Sequence, residues 1–183
     1  PTINKLRVIS RNQQLMRLDF EMPFVSCELP ELNKNYTRCL HSATAVILSD
    51  YGKGTLSDPA HFIKTARACG VPVLVDPKGD DFTAYRGASL ITPNMGEFER
   101  IVGRCTDDQQ LVERGMRLLE ELNLEALLIT RSEKGMSLLR RGKSAFHLPA
   151  QAQEVYDVTG AGDTVIACMA AMIGAGSDYK DAA

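Results

Sequence analysis

The sequence predicts an α/β fold, a mostly parallel sheet covered by helices on both faces, with a β-hairpin at its N-terminal end. Three observations predict it. Short apolar runs alternate with amphipathic stretches of helical period, the pattern of strands joined by crossover helices. At 183 residues the chain is long enough to bury a core as one domain. Four apolar runs end on polar residues: Asp50, Asp76-Pro77-Lys78, Thr92-Pro93-Asn94 and Thr130-Arg131-Ser132. In open α/β sheets, ligands bind outside the carboxyl ends of the strands, so this edge is where function is sought.

The elements follow in order. Within 5–20, "KLRVISRNQQLMRLDF", Leu6 and Val8, then Met16, Leu18 and Phe20, alternate with polar neighbours. This predicts two strands turning near Asn12 and Gln13, with one wet face. Leu32, Tyr36 and Leu40 have helical spacing, and "ATAVILSD" is a buried-type strand ending at Asp50. Ser57 or Asp58 caps the next helix, with Pro59 in its first turn. "VPVLVDPKG" is a strand ending at Asp76, and "ASLITPN" one ending at Asn94. Helices are expected near 94–102 and 107–122, and "ALLIT" ends at Thr130. "MSLLR" and "AFHLP" flank Arg141-Gly142 as a hairpin. The last long helix starts inside "DVTGAGDTV", residues 157–165, and runs to about Gly174. Ser177-Asp178 then reads as a fresh helix start.

Composition narrows the function classes. Apolar residues make up 44% and charged residues 24%, as in ordinary globular chains. A net charge of −2 argues against a nucleic-acid surface and a polybasic membrane contact. No apolar run approaches the roughly 20 residues of a membrane span. Five scattered cysteines without a CxxC favour a reducing cytoplasm over secretion or a zinc site. The Asn35-Tyr36-Thr37 sequon then reads as a chance match. His41, His61 and His147 lack metal spacing and read as structural. The start at Pro1 and the stop just after a helix signal read as a piece of a longer protein.

Three readings of the glycine loops compete. Gly142-Lys143-Ser144 has the ending of a Walker A loop, but Ser137 stands where its first glycine belongs, within a hairpin. Gly160-x-Gly162 could open a dinucleotide fingerprint, but Val165 stands at its third position and no acidic strand end follows. The third reading is an anion hole. Gly160, Ala161 and Gly162 open a helix, so their N–H groups and the positive end of its dipole face outward with no side chain in the way. Asp163, in that first turn, suits a proton acceptor beside a bound phosphate, or else merely favours the helix start. Asn94 and Glu97 fit either a phosphate-organising pair or an N-terminal capping box.

"DVTGAGD" resembles the D-T-x-G-A-G-D signature of the ribokinase-like (PfkB-type) carbohydrate kinases, with Val158 in the second position. Asn94-Met95-Gly96-Glu97 is similar to the family's N-x-x-E motif. "KLRVISRNQQLMRLDFE", "VDPKG", "LITRSEKGMSLL" and "AQEVYDVTGAGDTV" resemble its heptose 7-phosphate kinase branch, the kinase half of a bifunctional enzyme with an adenylyltransferase half. The resemblance covers essentially the whole chain.

It implies ATP-dependent phosphorylation of D-glycero-D-manno-heptose 7-phosphate at the anomeric oxygen, towards ADP-heptose for lipopolysaccharide core. Asp163 would be the base, and Gly160, Ala161 and Gly162 the anion hole. Asn94, Met95, Gly96, Glu97, Lys78, Thr130, Ser132 and Gly135 would serve ATP and Mg²⁺, the metal being held through phosphates and water near Glu97. Lys78 reads equally as a solvated loop lysine. Residues 5–20 would be a lid hairpin and 43–183 the nucleotide-binding core. Arg11, Asn12, Gln14 and Asp50 would meet the sugar, and Lys5, Arg7, Arg11 and Arg17 its 7-phosphate, unless they are a charged strand edge. The resemblance implies a bacterial cytoplasmic protein, a homodimer at full length.

The family's upstream strand and glycine-rich sugar segment are not among these residues, nor is the H-x-G-H motif of the adenylyltransferase. The second activity is therefore not assigned, and the 183 residues alone are expected to be inactive. A kinase of another sugar or nucleoside and a non-catalytic nucleotide-binding or dimerisation fragment remain alternatives.

Overall fold

The computed structural model describes residues 4–11, 13–20, 29–150 and 160–183. Strands β1 (Asn4–Ser10) and β2 (Gln13–Phe20) pair antiparallel as a separate hairpin. Then come α1 (Leu29–Leu40), β3 (Val46–Ser49), α2 (Pro59–Ala68), β4 (Val73–Asp76), β5 (Leu90–Ile91), α3 (Met95–Val102) and α4 (Asp108–Glu121). β6 (Ala126–Thr130), β7 (Met136–Arg140), β8 (Phe146–Leu148), α5 (Ala161–Gly174) and α6 (Tyr179–Ala182) complete the chain. The sheet runs in the order β3-β4-β5-β6-β7-β8, parallel from β3 to β6 and antiparallel beyond.

The continuous apolar strands are explained by burial on both faces. Val73, Val75, Leu127, Ile129 and Leu139 turn towards α2, α3 and α4, where Phe62, Phe98 and Leu118 meet them. Leu74, Ala126, Leu128 and Leu138 turn the other way, against Ile166 and Met169 of α5. Each valine, leucine, isoleucine, methionine or phenylalanine among them contributes about 1.5–3 kcal/mol through burial. Tyr36, within the sequon, donates a hydrogen bond to the Phe62 carbonyl (2.8 Å) and lies edge-on to that ring, fastening α1 to α2. Among the described residues, no helix is long and apolar enough to cross a membrane.

Two expectations are corrected. The "ASLITPN" strand narrows to Leu90–Ile91, with an isolated bridge from Asn94 to Thr130. Pro93 has no N–H to give the ladder. The hairpin was expected to hide one face, yet both strands are exposed throughout. Leu6, Val8, Met16, Leu18 and Phe20 share a face that no described segment covers. A bulge between Val8 and Ile9 skips Leu15, which is exposed.

Candidate functional site

The four strand ends converge. One cavity of about 210 Å³ is lined by Asp50, Asp76, Lys78, Glu97, Gly160 and Asp163, with Thr92, Asn94, Thr130 and Gly162. Beside it lies a cavity of about 770 Å³, whose walls include Met95, Gly96, Ser132, Gly135, Met136 and Val165. Asn94, Thr130 and Gly162 border both, so the two form one continuous site.

The start of α5 is unlike those of α2, α3, α4 and α6. Asp58, Asn94, Asp107 and Asp178 each place a side-chain oxygen on the first turn of α2, α3, α4 and α6. α5 has Gly160 at that position, in the left-handed conformation (φ 81°) and with no side chain to offer. Among the described residues, no side chain caps the first-turn N–H groups, which stand beside the site that Gly160, Ala161 and Gly162 line. A Cβ added at Gly162 would meet nothing within 4 Å. Packing among the described residues therefore does not demand glycine at 162. Residues 157–159 of the motif lie outside the described residues.

Asn94 and Glu97 form the capping box: Glu97 N donates to Asn94 Oδ1 (2.9 Å), and Asn94 N to Glu97 Oε2 (3.1 Å). The capping role is real, and it leaves Glu97 Oε1 facing Lys78 Nζ at 3.5 Å. Local sequence thus builds the cap, and the fold brings Lys78 to it.

Two residues here carried no assignment from sequence. Tyr85, fully buried, donates to Asp50 Oδ2 (2.7 Å) and accepts from Lys78 N (3.1 Å). Its hydroxyl ties two strand-end loops together, and burial raises its pKa. Asp76, quoted as a strand end, sits half-buried among Glu97, Asp163 and Asp50. Burial first, then these carboxylates, push its pKa up to about 6, with Lys78 opposing.

That shift has a stability consequence. The folded value lies above the ordinary 3.8, so the neutral carboxyl favours the fold. Its contribution is full below about pH 4 and lost as pH rises through about 6. Asp76→Asn, which mimics the neutral form, is expected to raise the melting temperature at pH 7.5 and leave it nearly unchanged at pH 4. Melting curves at the two pH values check this; equal shifts would contradict it.

The wall formed by residues 130–135 is held by Arg131. Its guanidinium donates to Ser137 Oγ (2.9 Å) and Asp108 Oδ1 (2.5 Å), and Ser137 Oγ lies 2.8 Å from His147 Nδ1. Ser132 has φ 51°, an unusual conformation for a non-glycine residue at a cavity wall. Gly135 (φ 77°) packs so closely on the Leu148 carbonyl that a Cβ has no room.

Of the residues expected from sequence, Asp50, Lys78, Asn94, Met95, Gly96, Glu97, Thr130, Ser132, Gly135, Gly160, Ala161, Gly162 and Asp163 all line these two cavities. Arg11 (φ 47°) and Gln14 lie in the hairpin and line neither. Asn12 lies outside the described residues. Among the described residues, no group of three or more His, Cys, Asp or Glu is arranged to hold a metal ion by itself. The arrangement can bind an anion on backbone N–H groups, accept a proton at Asp163, and take a flat apolar group between Met95, Met136 and Val165.

A family model described as pfkB family carbohydrate kinase matches residues 32–183. The chain is 61% identical over 182 residues to the Bifunctional protein HldE of Hahella chejuensis and 56% identical to that of Escherichia coli O1:K1 / APEC. These alignments take in 100% of the chain but 38% of each relative, so the chain spans well under half the relatives' length. Ribokinase from Arabidopsis thaliana, solved with ribose and ATP, superposes with a TM-score of 0.72 at 20% identity, covering 94% of this chain and 56% of that one. Phosphofructokinase-2 from Escherichia coli, solved with fructose-6-phosphate, gives 0.72 at 16% identity, covering 91% and 57%. At such identities the likeness is one of fold.

Proposed function

Because the chain belongs to the pfkB family of carbohydrate kinases, we propose that it is a kinase domain for D-glycero-D-manno-heptose 7-phosphate. It transfers the γ-phosphoryl group of ATP to the anomeric oxygen, giving the 1,7-bisphosphate that leads to ADP-heptose and lipopolysaccharide core. The observation that carries this reading is the bare start of α5 with Asp163 in its first turn. The 56–61% identity to HldE supports the substrate.

Asp163 takes the proton of the C1 hydroxyl as that oxygen bonds to the γ-phosphorus, and ADP leaves as the bridging P–O bond breaks. An anomeric hydroxyl is more acidic than an ordinary alcohol, so a carboxylate suffices as base. The N–H groups of Ala161 and Gly162 meet the charge on the transferring phosphoryl oxygens. The larger cavity takes the nucleoside, with Asn94, Thr130, Ser132 and Gly135 as its polar border. Lys78, half exposed, exchanges Glu97 for a phosphate as a mobile point charge.

The oxygen-rich wall of Asp76 and Glu97 suits Mg²⁺, which prefers oxygen ligands and retains waters. Glu97 would hold such an ion through water and the bound phosphates, and the ion would supply positive charge against the triphosphate. Residues 5–20 act as a lid over a 43–183 core, and Arg11, Asn12, Gln14 and Asp50 serve the sugar. The exposed apolar face of the hairpin supports a homodimer of the full-length protein. The setting is the bacterial cytoplasm.

The test is ATP turnover by the full-length protein against a panel of sugar phosphates and nucleosides. Heptose 7-phosphate should exceed the others by about 10²-fold in kcat/KM, with the product read by phosphorus NMR. Preference for another acceptor would move the substrate, and turnover of none would favour a non-catalytic fragment. Glu97→Gln tests the metal. Glutamine also serves a capping box, so the melting temperature should hold. The Mg²⁺ concentration for half-maximal rate should rise several-fold. A residue that only caps the helix would leave that concentration unchanged.

A further inference from the structure

At the opposite edge of the sheet, where β5 and β6 begin, lies a cavity of about 550 Å³. Lys64 and Arg67 from the last turns of α2, Arg86 before β5 and Arg141 after β7 surround it, and among the described residues Glu125 is the one carboxylate in its lining. Four cations thus face one acid, in a chain whose net charge is −2.

The guanidinium groups are held in place by the fold. Arg67 Nη1 contacts Ser89 Oγ (2.9 Å) and Glu125 Oε1 (2.5 Å). Arg86 donates Nη1 to the Glu121 carbonyl. Arg141 donates Nη2 to Asn123 Oδ1 (3.0 Å) and the Leu124 carbonyl (3.2 Å). Each arginine uses one terminal nitrogen in these contacts and keeps further N–H donors for a ligand. Among the described residues Lys64 makes no ion pair. Asn123, which Arg141 pins, has φ 52°, a left-handed conformation at the cavity rim.

Like charges fixed around a concavity repel one another, and a multiply charged anion removes that repulsion while gaining charge-assisted hydrogen bonds. The volume is that of a small-molecule site rather than a polymer track. We propose that this cavity is a binding site for a polyphosphorylated small molecule, separate from the strand-end site.

Inorganic pyrophosphate, titrated into the full-length protein by calorimetry, is the probe. Lys64→Ala/Arg86→Ala should weaken its binding at least about tenfold, as loss of two charge-assisted contacts implies. The KM for ATP should stay unchanged. Inorganic phosphate, with less charge, should bind at least about tenfold more weakly than pyrophosphate. Lys64→Gln, which breaks no ion pair or side-chain hydrogen bond among the described residues, should by itself weaken binding several-fold at an unaltered melting temperature. Pyrophosphate affinity equal in wild type and Lys64→Gln, or equal affinities for phosphate and pyrophosphate, would overturn the proposal. So would the absence of any pyrophosphate binding at millimolar concentration.

Discussion

Asp163→Asn in the full-length protein is expected to lower kcat by on the order of 10²–10⁴-fold, the range that a positioned general base contributes. The substitution keeps the side chain's size and its place in the first turn of α5, where Asp163 lines the smaller cavity with Asp76 and Lys78. What it removes is the capacity to take a proton. A negative charge is also lost beside the expected position of the phosphates, so the KM for ATP should hold or fall. Steady-state rates with saturating ATP and Mg²⁺ make the measurement. A variant keeping more than half its kcat would end the assignment of Asp163 as base.

Gly162→Ala is expected to move stability and activity in opposite directions. Gly162 lies within α5, outside the left-handed region, and a Cβ there meets open space. Glycine in a helix costs roughly 0.5–1 kcal/mol relative to alanine, so the melting temperature should hold or rise. Under the proposed mechanism, though, the methyl group would stand where a phosphoryl oxygen approaches the N–H groups. The rate should fall on the order of 10²-fold, the scale of losing one oxyanion donor. Melting curves and kcat/KM measured on the same preparation separate the two effects. A stabilised variant with full activity would show that nothing approaches this turn.

These tests rest on features that differ in how far they could be read without coordinates. The hairpin, the Asp58-Pro59 helix start, the Asn94–Glu97 capping box and the start of the last long helix are local. Each depends on residues within a turn or two of one another, so spacing and side-chain chemistry suffice. The buried strands were legible for a related reason: a strand covered on both faces has no polar position to spare. The ends at Asp50, Asp76, Asn94 and Thr130 could be named singly in the same way. Gly135 was reached through motif resemblance, since nothing local in that residue marks a binding wall.

The sequence by itself thus determined the order and type of the elements and the bare glycine turn before Asp163. Only the tertiary structure decided that Tyr85 bridges Asp50 and Lys78, that Asp76 is crowded by Glu97 and Asp163, and that Arg131 braces the 130–135 wall. It also decided that both hairpin faces lie open and that four cations gather at the far edge of the sheet. The physical reason is range. Helix caps and strand alternation are set by neighbours a few residues apart, whereas burial, charge crowding and the meeting of loops 35 residues apart, as at Tyr85 and Asp50, depend on strand register and helix packing across the whole sheet.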